Sequence, residues 1–469
     1  MKLSTNAFVI GSIICVGLAA AFTPQAHTAA AGRKSQALPL AATIALDALK
    51  VDIDENAPRD VWAMDEYMTS CGVQRAEGLS LYESGTQASP DEYGLMTQTD
   101  LPAESPVLCV PSEMIFSSEE LRQGELKGLV DAAEETLLVL GVTEKDFPMF
   151  HLFLKILIEH EKGDESPWFP WLNSLPRRYS NGASMTPYCF ECLPPLVANL
   201  ATKERVRFIH FYNALSQLRF LNADTKKDKE LAKWAYNVVY TRSFGNHNGE
   251  GMEDPVKRIV PMADMFDHTT ETEVDISFDD DGNCYAYTNR DVPGGSPLRM
   301  SYGCPTNPSH LFATYGFLDE TSPATFCKIM NIEATQELRN IGLDFSRMLF
   351  YKDTGDITEE VWDVLLYTIL EDVDDDERQT QRAFYKACMS GDVDTKNAIH
   401  HEYFHKTARV LQIHVDSFLQ NLDRLEAKAA TKNVVDHPRI PIILEHNEFV
   451  KQTFLRVKEN VDAMAGQMA

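Results

Sequence analysis

Two short segments gather side chains able to hold or polarise a ligand. The first, Pro261-Met262-Ala263-Asp264-Met265-Phe266-Asp267-His268, sets two acids and a histidine directly after an apolar run. The second begins about thirty residues later as Met300-Ser301-Tyr302-Gly303 and continues through Asn307 to Tyr315-Gly316-Phe317. Carboxylate, imidazole and phenol are hydrogen-bonding, titratable groups. None of these pieces is specific alone; their order and spacing carry the signal. Upstream, Trp234 to Phe244 contains Arg242, whose planar fork of donors matches a carboxylate. Cys189-Phe190-Glu191-Cys192 is the only close cysteine pair. With no second pair or neighbouring histidines it makes a poor zinc site, and a redox-sensing disulfide is its alternative use.

The elements that must position these groups follow from periodicity. Val274-Asp275-Ile276-Ser277-Phe278 and Tyr285-Ala286-Tyr287 alternate around Asp280-Asp281-Gly282-Asn283, a β-hairpin pattern. Trp62 opens a helical stretch that Gly72 ends. Tyr93 to Thr97 and Val107 to Val110 read as two strands around a turn. Residues 118–253 read as mainly helical, with apolar stripes Phe150, Leu152, Phe153, Ile156, Leu157 and Leu215, Leu218, Phe220, Leu221. Beyond Glu320, Trp362, Leu365, Leu366 and Ile369 mark one helix, followed by the acid run Asp374 to Glu377. Phe404, Leu411, Val415, Phe418, Leu422 and Leu425 mark a longer amphipathic one.

A chain of 469 residues is long enough for two domains. Its formal charge of −27 argues against general nucleic-acid binding and favours solubility. The apolar run Ala7–Ala21 is short for a membrane span and reads as a signal peptide over 1–21. Residues 22–48 follow as a transit-peptide-like segment, with no acid before Asp47 and with Phe22 at the junction. Composition and junction resemble those of plastid-targeted algal precursors, giving a plastid expectation; a simple secreted protein is the alternative.

Asp264 to His268, the hairpin, Ser301-Tyr302-Gly303, Asn307 and Tyr315-Gly316-Phe317 together resemble the C-terminal half of a SET domain of the Rubisco large-subunit lysine methyltransferase kind. Lys162-Gly163, Ser166-Pro167-Trp168, Trp171-Leu172 and Ser174-Leu175-Pro176 are similar to that family's inserted helical segment. The resemblance implies an α+β fold: a SET domain over 58–320 with small β-sheets and a knot-like C-terminal segment, interrupted by a helical insertion at about 118–255. An all-α substrate-binding domain follows over 321–469. It implies transfer of a methyl group from S-adenosylmethionine, without a metal, to a lysine of a protein docked on the helical domain. By family analogy that protein is the Rubisco large subunit or aldolase. A histidine acceptor and a catalytically silent binding module remain alternatives.

Residue by residue, the resemblance makes Tyr302 catalytic, a hydroxyl that orients amine and sulfonium. It puts Tyr93, Gly94, Arg242, Asp264, Asp267 and His268 at the cofactor and Tyr315 in the lysine channel. Arg242 would face the cofactor carboxylate, Asp264 would fix its loop by bonding backbone amides, and glycine at 94 would permit close backbone approach. Asp267 stands where the family has Asn, and Asp91-Glu92-Tyr93-Gly94 keeps one glycine where the family usually has two.

Overall fold

The computed structural model describes residues 48–466, apart from 86–91, 124–125, 249–251, 304–305, 307, 330–331 and 371–374. The presequence expectation and the roles given to Asp91 and Asn307 lie outside the described residues, as does Asp374 of the acid run.

Alternation in the sequence becomes short strands. In chain order they are β1 (Gln74–Arg75), β2 (Leu79–Glu83), β3 (Tyr93–Thr97), β4 (Pro106–Val110), β5 (Phe116–Ser117), β6 (Ser243–Asn248) and β7 (Met252–Ile259). Then come β8 (Asp267–His268), β9 (Val274–Phe278), β10 (Cys284–Thr288), β11 (Ser296–Met300), β12 (Ala324–Phe326) and β13 (Leu349–Tyr351). The expected hairpin is β9–β10. Its turn is held by Asp279, whose Oδ1 accepts the N–H groups of Asp281 at 3.0 Å and Asn283 at 2.8 Å. Gly282 takes the positive φ of 82° that this turn requires.

Among the described residues these form four small sheets, in the orders β1-β4-β10-β9, β2-β3-β11-β8, β5-β7-β6 and β12-β13. The strands expected around one turn, β3 and β4, therefore sit in different sheets. Leu101 explains the divergence, because its backbone exchanges two 2.8 Å bonds with Val292 and fixes the connection between them to the β10–β11 link. One pairing matters most for function. β8 runs parallel to β11, with Asp267 opposite Arg299 and His268 opposite Met300, so the two motif segments lie side by side.

The helix Val61–Ser70 starts where the Asp60 carboxylate accepts from the N–H of Ala63. The helix Phe147–Lys162 buries its whole expected stripe. Helices end at Arg242, earlier than the expected boundary near 255, and the chain continues into the β6–β7 ladder. The stripe Leu215 to Leu221 is not a helix either. A single 3-10 turn, Leu215–Gln217, and the loop after it bury Leu215, Leu218 and Leu221, so an apolar run at near-helical spacing served a packed loop.

Beyond residue 320 the chain is helical except for the β12–β13 ladder. Leu411, Val415 and Leu422 of helix Val393–Ala429 pack with Phe350 and Phe454 in a second core, and Phe418 stacks on Phe454 at 4.4 Å. A third cluster, including Met185, Cys189, Cys192, Phe312 and Ile443, joins residues from both halves of the chain. Cys189 and Cys192 are buried free thiols there, and burial pushes the Cys192 thiol up, which disfavours thiolate chemistry.

Between these cores Lys328 is buried with φ at +60°. Its Nζ donates to Ser309 Oγ at 2.5 Å, and Ser309 lies 3.3 Å from His446 Nε2. Burial depresses the Lys328 ammonium to about 7, partly opposed by Cys327, and the His446 ring to about 3. A lysine depressed on folding contributes most stability above its unfolded value, near 10.4, and loses that contribution as pH falls toward 7. Lys328→Met should therefore stabilise the protein at pH 7 by on the order of 1–3 kcal/mol. The gain should shrink as pH approaches 10, and melting curves at the two pH values check it.

Candidate active site

β8 and β11 deliver the site. Just past the end of β11, the backbone N–H of Tyr302 donates to His268 Nδ1 at 3.0 Å, and His268 Nε2 bonds Asp319 Oδ2 at 3.1 Å. A ring that accepts at Nδ1 carries its proton on Nε2, so His268 is the neutral Nε2–H tautomer and donates to Asp319. Asp319 also accepts from Thr321 N at 2.9 Å. Burial pushes its carboxyl up, but the bonds from His268 and Thr321 more than offset this and leave it below the usual value. Both ring nitrogens of His268 are thus spent inside the protein. Its ring holds the Tyr302 backbone.

The Tyr302 hydroxyl donates to the Phe266 carbonyl at 2.5 Å. Its ring packs 5.0 Å from Tyr315, 5.3 Å from His268 and 6.1 Å from Phe317. Burial, then the charge of Asp267, holds the Tyr302 phenol well above the ordinary value, so it stays protonated. The Tyr315 hydroxyl reaches the Tyr302 carbonyl at 3.4 Å, and burial pushes it up to about 12. Gly316, at φ +85°, permits the turn to Phe317; a Cβ there would sit 2.6 Å from Asn181 N.

Arg242 closes the other side. Its Nη1 donates to the Asp264 carbonyl at 2.8 Å and to Asp264 Oδ2 at 3.1 Å. The same Oδ2 accepts from Trp171 Nε1 at 3.1 Å. Asp264 therefore fixes its loop through a buried ion pair and an indole, not through its own loop amides as expected. Three buried polar atoms here have no partner: Arg242 Nε, the Tyr179 hydroxyl and Asp264 Oδ1.

Gly94 lies opposite Tyr82 in the β2–β3 ladder, and a Cβ there would fall 2.4 Å from Asp267 Oδ2 and 2.8 Å from the Tyr82 ring. A side chain at 94 would thus crowd the chain's own Asp267 and Tyr82. Tyr93 beside it lies under the Arg59 guanidinium, 4.8 Å from the ring centre. Burial raises the Asp267 carboxyl above its ordinary value against the pull of Ser84 and Arg242. An acid raised on folding adds stability below its unfolded value, near 3.9, and loses it as pH rises through the folded value. Asp267→Asn should therefore gain about 1 kcal/mol at pH 7 and nothing near pH 3, measured by denaturant unfolding at both.

Sequence reading did not single out Tyr82, Asp319 or Tyr179. Alternation in Leu79-Ser80-Leu81-Tyr82 was a usable strand signal for the first. Asp319, two residues past Phe317, and Tyr179, three past Pro176, carried none. Among the described residues no group of three or more His, Cys, Asp or Glu is placed to hold a metal ion, and no helix is long and apolar enough to cross a membrane.

Small sheets that bring a His-bearing strand beside a strand followed by Ser-Tyr-Gly, with a helical C-terminal region after them, match the SET fold. The chain has that fold in the form seen in Rubisco LSMT. It matches the SET domain of LSMT bound to lysine and AdoHcy with a TM-score of 0.55 at 12% identity, over 85% of this chain and 90% of that one. It matches Rubisco LSMT bound to AdoMet with a TM-score of 0.54 at 12% identity, over 86% and 92%. No family model matches the chain. Among curated proteins, SET domain-containing protein 4 of Artemia parthenogenetica is 28% identical over 188 residues, 37% of this chain and 45% of that protein. Actin-histidine N-methyltransferase of Danio rerio is 24% identical over 246 residues, 49% and 38%. Human SET domain-containing protein 4 is 21% identical over 242 residues, 49% and 53%. The matched segment thus spans about half or less of these relatives' length.

Proposed function

We propose that the protein is a methyltransferase that moves a methyl group from S-adenosylmethionine to a side-chain nitrogen of another protein. One juxtaposition carries this reading: the Tyr302 hydroxyl, fixed on Phe266, lies within electrostatic reach of Arg242, where Arg242 Nε, the Tyr179 hydroxyl and Asp264 Oδ1 are buried without a well-aligned hydrogen bond. Two donors and one acceptor left unpaired in a buried place suit the carboxylate and ammonium of an amino-acid group. Bound there, the cofactor supplies a methyl carbon activated on sulfur.

The chain's own residues supply position and dryness. With its proton committed to Phe266, the Tyr302 oxygen offers lone pairs to the incoming groups, and as a phenol that stays protonated it works as an oriented dipole, not as a base. Correct orientation alone can contribute about 7–11 kcal/mol. Tyr302, Tyr315 and Phe317 supply aromatic walls. An attacking lysine must be neutral, which at pH 7 costs about 4–5 kcal/mol from a reference near 10.4; an apolar wall lowers that cost by disfavouring the ammonium.

Lysine is the acceptor we favour, as in the structure of LSMT bound to lysine. Histidine is the second reading, supported by the similarity to actin-histidine N-methyltransferase; imidazole is largely neutral at pH 7 without assistance. We place the protein in the plastid stroma on its presequence composition, with the Rubisco large subunit or aldolase as candidate substrates docked on the helices after residue 320.

The test is transfer of labelled methyl from S-adenosylmethionine by the full chain to stromal proteins. A labelled band whose rate climbs between pH 7 and 9 supports lysine, and a rate flat above pH 7 supports histidine. Cofactor binding without label would replace the enzyme by a silent SET-fold binding module. A fluorescent fusion to residues 1–47 that stays outside plastids would sink the localisation.

A further inference from the structure

Tyr179 lies outside both motif segments yet shares their electrostatics. Tyr179 is 8% exposed, and its hydroxyl lies against the Arg242 guanidinium without a well-aligned hydrogen bond. Arg242 lies within electrostatic reach of Asp264, Tyr179, Tyr302 and Glu92, and Tyr179 in turn of Arg242, Glu92 and Arg59. Burial pushes the phenol up to about 12 despite the opposing pull of Arg242, so it is a donor at any ordinary pH.

The backbone of this residue is held from the far end of the chain. Arg439, at the head of helix Ile440–Gly466, donates Nε at 3.1 Å and Nη2 at 3.0 Å to the Tyr179 carbonyl and pairs with Glu55. In return Arg178 Nη2 donates to the Pro438 carbonyl at 2.6 Å. Just downstream, Asn181 Nδ2 donates to the Thr314 carbonyl at 3.0 Å, and Gly182 N donates to the Ala313 carbonyl at 2.9 Å, next to Tyr315. The Tyr179 segment is therefore stitched to the C-terminal helices on one side and to the helix that ends in Tyr315 on the other.

We propose that Tyr179 is a further ligand-binding residue, its hydroxyl donating with Arg242 Nε to the carboxylate of a bound amino-acid group, and that Arg439 is the positioning residue that sets it. The inference rests on the methyltransferase reading. It adds a donor beyond the motif residues and a mechanical link from the helices proposed to dock protein substrate to the pocket that holds the methyl donor. A phenol and a guanidinium nitrogen converging on one carboxylate give two charge-assisted bonds where Arg242 alone gives one from Nε.

The experiment compares two probes by calorimetry on the full chain: S-adenosylhomocysteine, which carries the amino-acid group, and 5′-methylthioadenosine, which lacks it. Tyr179→Phe should weaken S-adenosylhomocysteine about tenfold or more and leave 5′-methylthioadenosine unchanged. Arg439→Met should reproduce that selective loss, and Arg439→Lys should restore part of it. Thermal melting checks folding, and should Arg439→Met not fold, Arg439→Lys against wild type carries the positioning test through an intermediate selective loss. Equal weakening of both probes in Tyr179→Phe, or no change in either, overturns the proposal while leaving the methyltransferase reading intact. A wild-type chain that binds neither probe overturns the underlying reading, and this one with it.

Discussion

Tyr302→Phe should lower methyl transfer by about a hundred- to a thousandfold, the range for removing one preorganised polar group at a reacting centre. Cofactor affinity should stay within about threefold, because the unpartnered atoms of the pocket belong to Arg242, Tyr179 and Asp264, not to Tyr302. The ring contacts with Tyr315, His268 and Phe317 survive the change, and the backbone N–H that His268 accepts is untouched. The folding cost should be about 1 kcal/mol, from the lost bond to the Phe266 carbonyl. Single-turnover transfer, calorimetry and melting separate the three quantities. If transfer falls only as far as binding does, Tyr302 is a packing residue and the proposed chemistry is wrong.

The parts of this site that lie within one segment were legible in the sequence. The β9–β10 hairpin follows from alternation and an Asp-Gly-Asn turn, and the Phe147–Lys162 stripe from its period. The resemblance named Tyr302, Arg242 and His268, and the structure sets Tyr302 against His268 and Arg242 on Asp264. Partner choice was not legible. Trp171 and Asp264 are 93 positions apart, Tyr82 and Asp267 are 185 apart, and Tyr179 and Arg439 are 260 apart. Nothing local in any of these segments encodes the other end of the contact; it is set by how the small sheets and the three apolar clusters pack. The same limit explains Leu215 to Leu221. Burial selects for leucine whether the backbone is a helix or a packed loop, so spacing alone could not tell them apart. His268 shows the limit for roles: its position was read from the motif, but that its ring serves Tyr302 follows only from the parallel β8–β11 register.

Arg242→Met should produce two losses that can be pulled apart. The Asp264 side chain has no exposure and that of Arg242 only 11%, so removing the guanidinium strands a carboxylate whose one remaining side-chain donor is Trp171. Breaking one partner out of a buried pair costs about 3–5 kcal/mol, and the melting transition should drop accordingly. The methyl donor should also bind at least about tenfold more weakly, since Arg242 Nε is one of the two buried donors proposed to take its carboxylate. Pairing the change with Asp264→Asn neutralises the stranded charge while keeping an oxygen for the Trp171 indole. The double variant should recover most of the lost stability and none of the lost affinity. Recovery of both would mean that Arg242 serves only to balance Asp264; recovery of stability alone assigns its Nε to the ligand.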